Sequence, residues 1–377
     1  MEADHSRDWY SEALMSSEAV IENKSVSMPV LLKPRDLHGL VDMKSAIDAV
    51  CEAYRGAVEF PVINAPRRRV HAPTGVRVSN FPGGVHSLGV IGSGTRAELV
   101  RQEDGNQHYD FREHPVHVLC DSHTSKLMGI VLGEVTEKTL GPSSLMAFRT
   151  AATSGVGFRY LAPKGAKTAG VFGSGGQAAY QLLALLVERP EIEKVFVYSR
   201  SSENRCAFAS RYSKFFDVDI EPVDQARLVV EPVDIVVCAT NTNRVLFDGG
   251  WLRAGQHVTG IIGGNIQLVE GGFLKQVRRE LDNTTAQRAN VIVANLRESI
   301  VSEKQGDLWE PVGKGMIKLE NIIELGELAA GKKSGRTAED QITYHKNNNG
   351  TGAADLALTT LAYRKAIEVG RGMEIDL

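Results

Sequence analysis

Cysteine is scarce in this chain: four in 377 residues. Cys51, Cys120, Cys206 and Cys238 are scattered and form no CxxC pair. That pattern excludes a disulfide framework and a cysteine-based zinc knuckle. Long apolar runs are lacking too. No stretch approaches the roughly 20 residues that a membrane-spanning helix needs. The first residues include Glu2, Asp4, His5, Arg7 and Asp8, with no apolar signal core. A cytoplasmic protein without a membrane partner is therefore expected. An excess of one charge is also missing. Lys and Arg total 43 against 46 Asp and Glu, a formal net charge of -3. A field so weak gives no electrostatic reason to expect nucleic acid. The histidines and acids show no metal-ligand spacing, so no metal is expected.

What is present describes a globular chain: 42% hydrophobic, 24% charged and slightly rich in glycine, with 37 positions. At about 150 residues per domain, the length suggests two domains. Leu40, Met43, Ile47, Val50, Cys51 and Tyr54 recur at helical spacing. Val85–Ile91, Val116–Cys120 and Leu127–Leu132 read as strands, and the polar stretch Arg96–Arg112 as a loop or irregular insertion. This first region reads as a strand-rich α+β domain. Ser143–Tyr160 reads as a linking helix.

The sharpest signal follows. Ala166–Phe172 reads as a buried strand, and Gly173-Ser174-Gly175-Gly176-Gln177-Ala178 comes at once after it. A helix over Ala179–Val187 and a strand over Lys194–Tyr198 complete the unit. Gly173 permits the tight turn, Gly175 lets the backbone approach a pyrophosphate, and Ala178 allows close helix packing. The unit predicts a dinucleotide site. The second strand ends in Ser199-Arg200-Ser201 with no carboxylate at the expected point. With Arg205 nearby, these residues suit a 2'-phosphate, so NADP(H) is expected over NAD(H). Further strands over Asp234–Ala239 and His257–Ile262 extend a parallel doubly wound sheet. Thr240 and Asn241 close one strand, where ligands bind in such sheets or where an ordinary turn forms. Gln341–Tyr344 reads as a strand and Ala353–Val369 as a final helix.

The first region offers cations. Arg67-Arg68-Arg69 lies in a Pro-bounded segment, where neighbouring side chains face opposite ways. Arg149 sits in an otherwise apolar helix and needs either a salt bridge or a ligand carboxylate. Arg77, between Val76 and Val78, reads as a solvated strand residue. His86 is open to a structural or a proton-carrying role.

Taken together, Leu145–Tyr160, Thr168–Ala179, Asp234–Thr240, Glu324–Leu328 with Gly331–Thr337, and Gly350–Leu356 resemble the ornithine cyclodeaminase/mu-crystallin family. The resemblance implies a Rossmann domain, residues 146–324, inserted in a discontinuous α+β substrate and dimerisation domain, residues 1–145 and 325–377. It implies a homodimer and hydride exchange at the α-carbon of an amino or imino acid. The family's carboxylate-binding arginines match Arg68 and Arg149, with Arg67 and Arg69 as register alternatives. Asp355 matches the aspartate of the last helix, a cofactor-side position. The family's catalytic lysine falls on Arg77, and its acid/base aspartate on Asn265. Neither replacement moves a proton readily. His86, Glu98 and Asp110 are the candidates to stand in for them. The resemblance thus implies an imine reductase or amino-acid dehydrogenase using Arg68, Arg77, Arg149, His86 and Asn265. An ornithine cyclodeaminase-type lyase and a catalytically weak dinucleotide-binding protein are the alternatives.

Overall fold

The computed structural model describes residues 28–103, 106–140, 147–263, 266–272, 275–347 and 351–376. Two eight-stranded sheets organise them. One is wholly parallel. Its order is Asp219–Pro222, Lys194–Tyr198, Thr168–Phe172, Ile235–Cys238, His257–Gly260, Thr343–Lys346, Val291–Ala294 and Ile323–Glu324. The strand order reverses between Thr168–Phe172 and Ile235–Cys238, which opens a crevice at their carboxyl ends. Every residue of Ile235–Cys238, His257–Gly260 and Thr343–Lys346 is buried, as central parallel strands require.

The second sheet is mixed. It runs Met373–Glu374, Val30–Leu32, Leu127–Leu132, Val116–Asp121, Val90–Glu103, Val76–Val85 and Arg68–His71, with Asn106–Arg112 paired to Val90–Glu103. The helices Met43–Glu59 and Gly352–Glu368 pack on each other, and Gly352–Glu368 also packs on this sheet. Asp42 caps the first of these helices by accepting from the Ser45 amide at 2.8 Å. Its buried face holds Met43, Ile47, Val50, Cys51 and Tyr54, the residues that the periodicity selects. Gly352 lies where a Cβ would stand 1.8 Å from the Pro82 carbonyl oxygen, so only glycine lets the last helix meet this sheet.

Two expectations need correction. The stretch 96–112 is not a loop but most of a hairpin, Val90–Glu103 with Asn106–Arg112. Thr343–Lys346 pairs inside the parallel sheet, beyond the boundary expected at 324. Among the described residues, no helix is long and apolar enough to cross a membrane.

Candidate active site

A cavity of about 1020 Å³ lies between the crevice of the parallel sheet and one face of the mixed sheet. At the crevice end stands the glycine loop. Gly173 has φ +114°, and a Cβ there would lie 2.3 Å from the Ala239 carbonyl oxygen. Gly175 caps the helix Gly176–Glu188, and no atom lies within 4 Å of where its Cβ would stand. An open, positively polarised helix start with no side chain in the way fits a dinucleotide pyrophosphate. Gly173 to Gln177 all line the cavity, while Ala178 is fully buried behind them. Thr240 and Asn241 line it from the neighbouring strand end.

Part of the expected 2'-phosphate group is engaged within its own turn. Ser199 Oγ donates to the Ser201 carbonyl at 3.0 Å and lies 3.0 Å from Ser174 Oγ. Ser201 Oγ accepts from the Asn204 amide and caps the helix Ser202–Phe216. Arg205 is not among the lining residues; its Nη1 donates to the Ser199 carbonyl at 3.0 Å. Arg200 alone stands exposed on the rim.

The other end of the cavity is built by strand alternation. Side chains at every second position face inward. Arg77, Ser79 and Phe81 face in from one strand, and Arg96 and Glu98 from the next. By the same rule Arg67 and Arg69 line the cavity, and Arg68 is exposed and points away. The register alternatives thus replace Arg68. Arg67 is buried against Glu303, with Nη2 to Oε2 at 2.6 Å. Arg77 is buried rather than solvated. Its Nε donates to Glu98 at 2.7 Å and its Nη2 to the Tyr109 hydroxyl at 2.9 Å. The guanidinium of Arg112 lies over the Tyr109 ring, 3.1 Å from its centre.

Arg149 lines the cavity beside Thr150, and its Nε donates to Asp355 at 2.8 Å. Asp355 is not among the lining residues and acts on Arg149, not on the crevice where a cofactor position would lie. His86 is exposed, outside the cavity, with its ring 3.9 Å from that of Phe60. Asp110 pairs with Arg101 on the surface. Asn265 lies outside the described residues. No lysine is among the described lining residues, and Glu98 is their one carboxylate.

Tyr109 is the functional candidate that residue types alone do not single out. Burial raises its phenol pKa, but the charges of Arg77 and Arg112 outweigh that and bring it below the ordinary value, against the opposing charge of Glu98. The alternation Arg96-Ala97-Glu98-Leu99 signals an inner polar face, but the register shift between Leu99 and Val100 that brings both Tyr109 and Arg112 to it leaves no such mark in the sequence.

Comparison with known proteins fits this geometry. A Δ1-pyrroline-2-carboxylate reductase of Bacillus cereus is 32% identical over 235 residues, 62% of this chain and 68% of its own. An iminosuccinate reductase of Paracoccus denitrificans is 26% identical over 355 residues, 92% of this chain and all of its own. The solved Δ1-pyrroline-2-carboxylate reductase of Thermococcus litoralis, in complex with NADH and L-proline, gives a TM-score of 0.74 at 27% identity, over 92% of this chain and 100% of that one. The solved Paracoccus iminosuccinate reductase, in complex with NAD+, shares the fold with a TM-score of 0.78 at 22% identity, over 93% and 100%. Those complexes carry NADH and NAD+, and they overturn the expectation of NADP(H) over NAD(H). Within the expected group, the Ser199 hydroxyl and the Arg205 guanidinium donate to backbone carbonyls of their own turn, which leaves Arg200 as the one arginine of the group on the rim. The ornithine cyclodeaminase/mu-crystallin model matches residues 112–369, from the hairpin through the glycine loop to the last helix, and the chain belongs to that family.

Proposed function

We propose that this protein is an NAD(H)-dependent oxidoreductase that reduces the imine of an α-imino acid, or oxidises the matching α-amino acid. The observation that carries the reading is one cavity with a glycine loop at one end and buried arginines at the other. The relatives named as imine reductases support it. The open cradle at Gly175 and the helix start behind it would hold the NAD(H) pyrophosphate. When bound, NADH supplies the hydride that reduces the imine carbon and leaves as NAD+.

The chain's own residues do the rest. Arg149, held by Asp355, would take the substrate α-carboxylate in a charge-assisted pair. Asp355 fixes its guanidinium plane, which limits the positions open to the reacting carbon. Tyr109 would donate the proton that the imine nitrogen needs as it becomes an amine. Its phenol is held below its ordinary pKa by neighbouring arginines, so it yields that proton more readily. The same phenolate, stabilised by Arg77 and Arg112, would take the proton back in the oxidative direction. The absence of lysine from the described lining residues favours this reading over a cyclodeaminase route.

The test is steady-state absorbance with NADH, an α-keto acid and an excess of ammonium or methylammonium. Amine-dependent NADH oxidation is expected. No oxidation with any keto acid, or ammonia release from ornithine without net cofactor change, contradicts the reading. We also propose a homodimer, on family membership. Light scattering is expected to give twice the chain mass, and a monomeric mass at working concentration contradicts it.

A further inference from the structure

Most of the cavity's arginines stand away from the glycine loop, and their number exceeds what one substrate carboxylate requires. Of eight lining arginines, Arg200 is on the cofactor rim, Arg278 reaches in from the parallel-sheet side, and the other six surround the opposite end. Five of these arginines, Arg67, Arg77, Arg96, Arg112 and Arg149, meet four carboxylates in ion pairs among the described residues: Glu98, Glu134, Glu303 and Asp355. Glu98 is shared, with Arg77 at 2.7 Å and Arg112 at 3.5 Å. Arg69 and Arg278 have no carboxylate partner among the described residues.

These two come from opposite walls. Arg69 lies on the mixed sheet, where its Nε donates to Ser79 at 3.0 Å and its Nη1 is buried without a partner. Arg278 comes from the parallel-sheet side, where Nε donates to Asn243 Oδ1 at 2.9 Å and Nη2 to the Asn241 carbonyl at 2.8 Å. Neutral partners hold these guanidiniums in place, and the carboxylates nearest in charge, Glu303 for Arg69 and Glu280 for Arg278, make no ion pair with them among the described residues. Burial, then the charges of Arg67 and Arg77, weigh against the charged form of Arg69. An assembly of like charges in a partly dry cavity is unfavourable unless an anion completes it. A planar fork on each wall suits a carboxylate or phosphate gripped from two sides.

We infer that the substrate carries a second anionic group, a carboxylate or a phosphate, bound between Arg69 and Arg278 while Arg149 holds the α-carboxylate. The inference rests on the imine-reductase reading and narrows it to dianionic imino acids. Arg69 and Arg278 set specificity.

The test compares pyruvate with oxaloacetate, 2-oxoglutarate and 3-phosphohydroxypyruvate, each with NADH and methylammonium. Two charge-assisted bonds predict a kcat/KM at least about tenfold higher for a dianion than for pyruvate. Whether the dicarboxylates or the phosphate compound lead identifies the anion. Arg69→Gln and Arg278→Gln, on separate walls, are each expected to cut that preference about tenfold. Pyruvate matching every dianion, or a preference surviving both substitutions, overturns the inference. Calorimetry of the NAD+-loaded protein with glutarate, 2-phosphoglycolate and propionate separates the two readings. Tighter binding of a dianion without turnover of any keto acid supports the anion subsite and removes the reductase reading. Equal, weak binding of all three overturns the subsite.

Discussion

Tyr109 and Arg77 form the smallest unit whose chemistry can be tested. Arg77, the position to which the family resemblance assigns a lysine, cannot lose a proton, and its Nη2 holds the Tyr109 hydroxyl at 2.9 Å. The proposed proton-transfer role therefore falls to the phenol it contacts. Removing the hydroxyl leaves the ring under Arg112 and the Arg77–Glu98 pair in place. Tyr109→Phe is expected to lower kcat by about 10²-fold or more, the usual scale of general acid catalysis, with KM little changed. It is also expected to remove the Tyr109 limb from the pH–rate profile of the oxidative direction. A pH profile with the wild-type limb intact contradicts the assignment.

At the scale of elements, the strand–glycine loop–helix unit was legible in the sequence because its residues carry the geometry themselves. Gly173 marks a positive φ, and Gly175 marks an open approach. The hairpin over 90–112 was not legible. Strand recognition equates the inward face with apolar residues, whereas Arg96 and Glu98 face inward onto a polar cavity. The same alternation explains why Arg68, unlike Arg67 and Arg69, does not line the cavity: one step of register turns a side chain to the other face. The end of Lys194–Tyr198 gave the opposite error. Ser199, Ser201 and Arg205 have the right chemistry for a 2'-phosphate, but their hydrogen bonds go to one another and to the backbone. Fluorescence titration is accordingly expected to show NADH binding at least about tenfold tighter than NADPH, the scale of one lost charge-assisted bond. Equal affinities contradict that account.

At the scale of the molecule, buried histidines tie the fold to neutral pH. Burial is the first cause in each case. It lowers His117 to about 4 and His345 to about 3, and takes His257 well below its ordinary value. Each is neutral in the fold and would bind a proton in the unfolded chain below about pH 6.5. Their stabilisation is therefore present above that pH and is lost as pH falls toward the folded values. Glu280 acts in the other sense. Burial pushes it up to about 7 against the nearby charge of Lys346, so the fold binds its proton between about pH 4.5 and 7. Three histidines outweigh one carboxylate, so the melting temperature is expected to fall between pH 6.5 and 5. The slope corresponds to about 1.4 kcal/mol per pH unit for each unbalanced proton. His117→Asn is expected to flatten that slope. A melting temperature constant from pH 7 to 5 contradicts the assignment.

The two sheets meet in one cavity, with the glycine loop at one end and buried arginines at the other, where the proposed reading puts the hydride source and the carboxylate clamp. That arrangement has one direct test. The reductive reaction is run with NADH carrying deuterium at its transferable nicotinamide position, and the amine product is examined by mass spectrometry and proton NMR. One deuterium at the α-carbon for each NADH consumed is the predicted result. Consumption of NADH with no deuterium at that carbon would contradict the account.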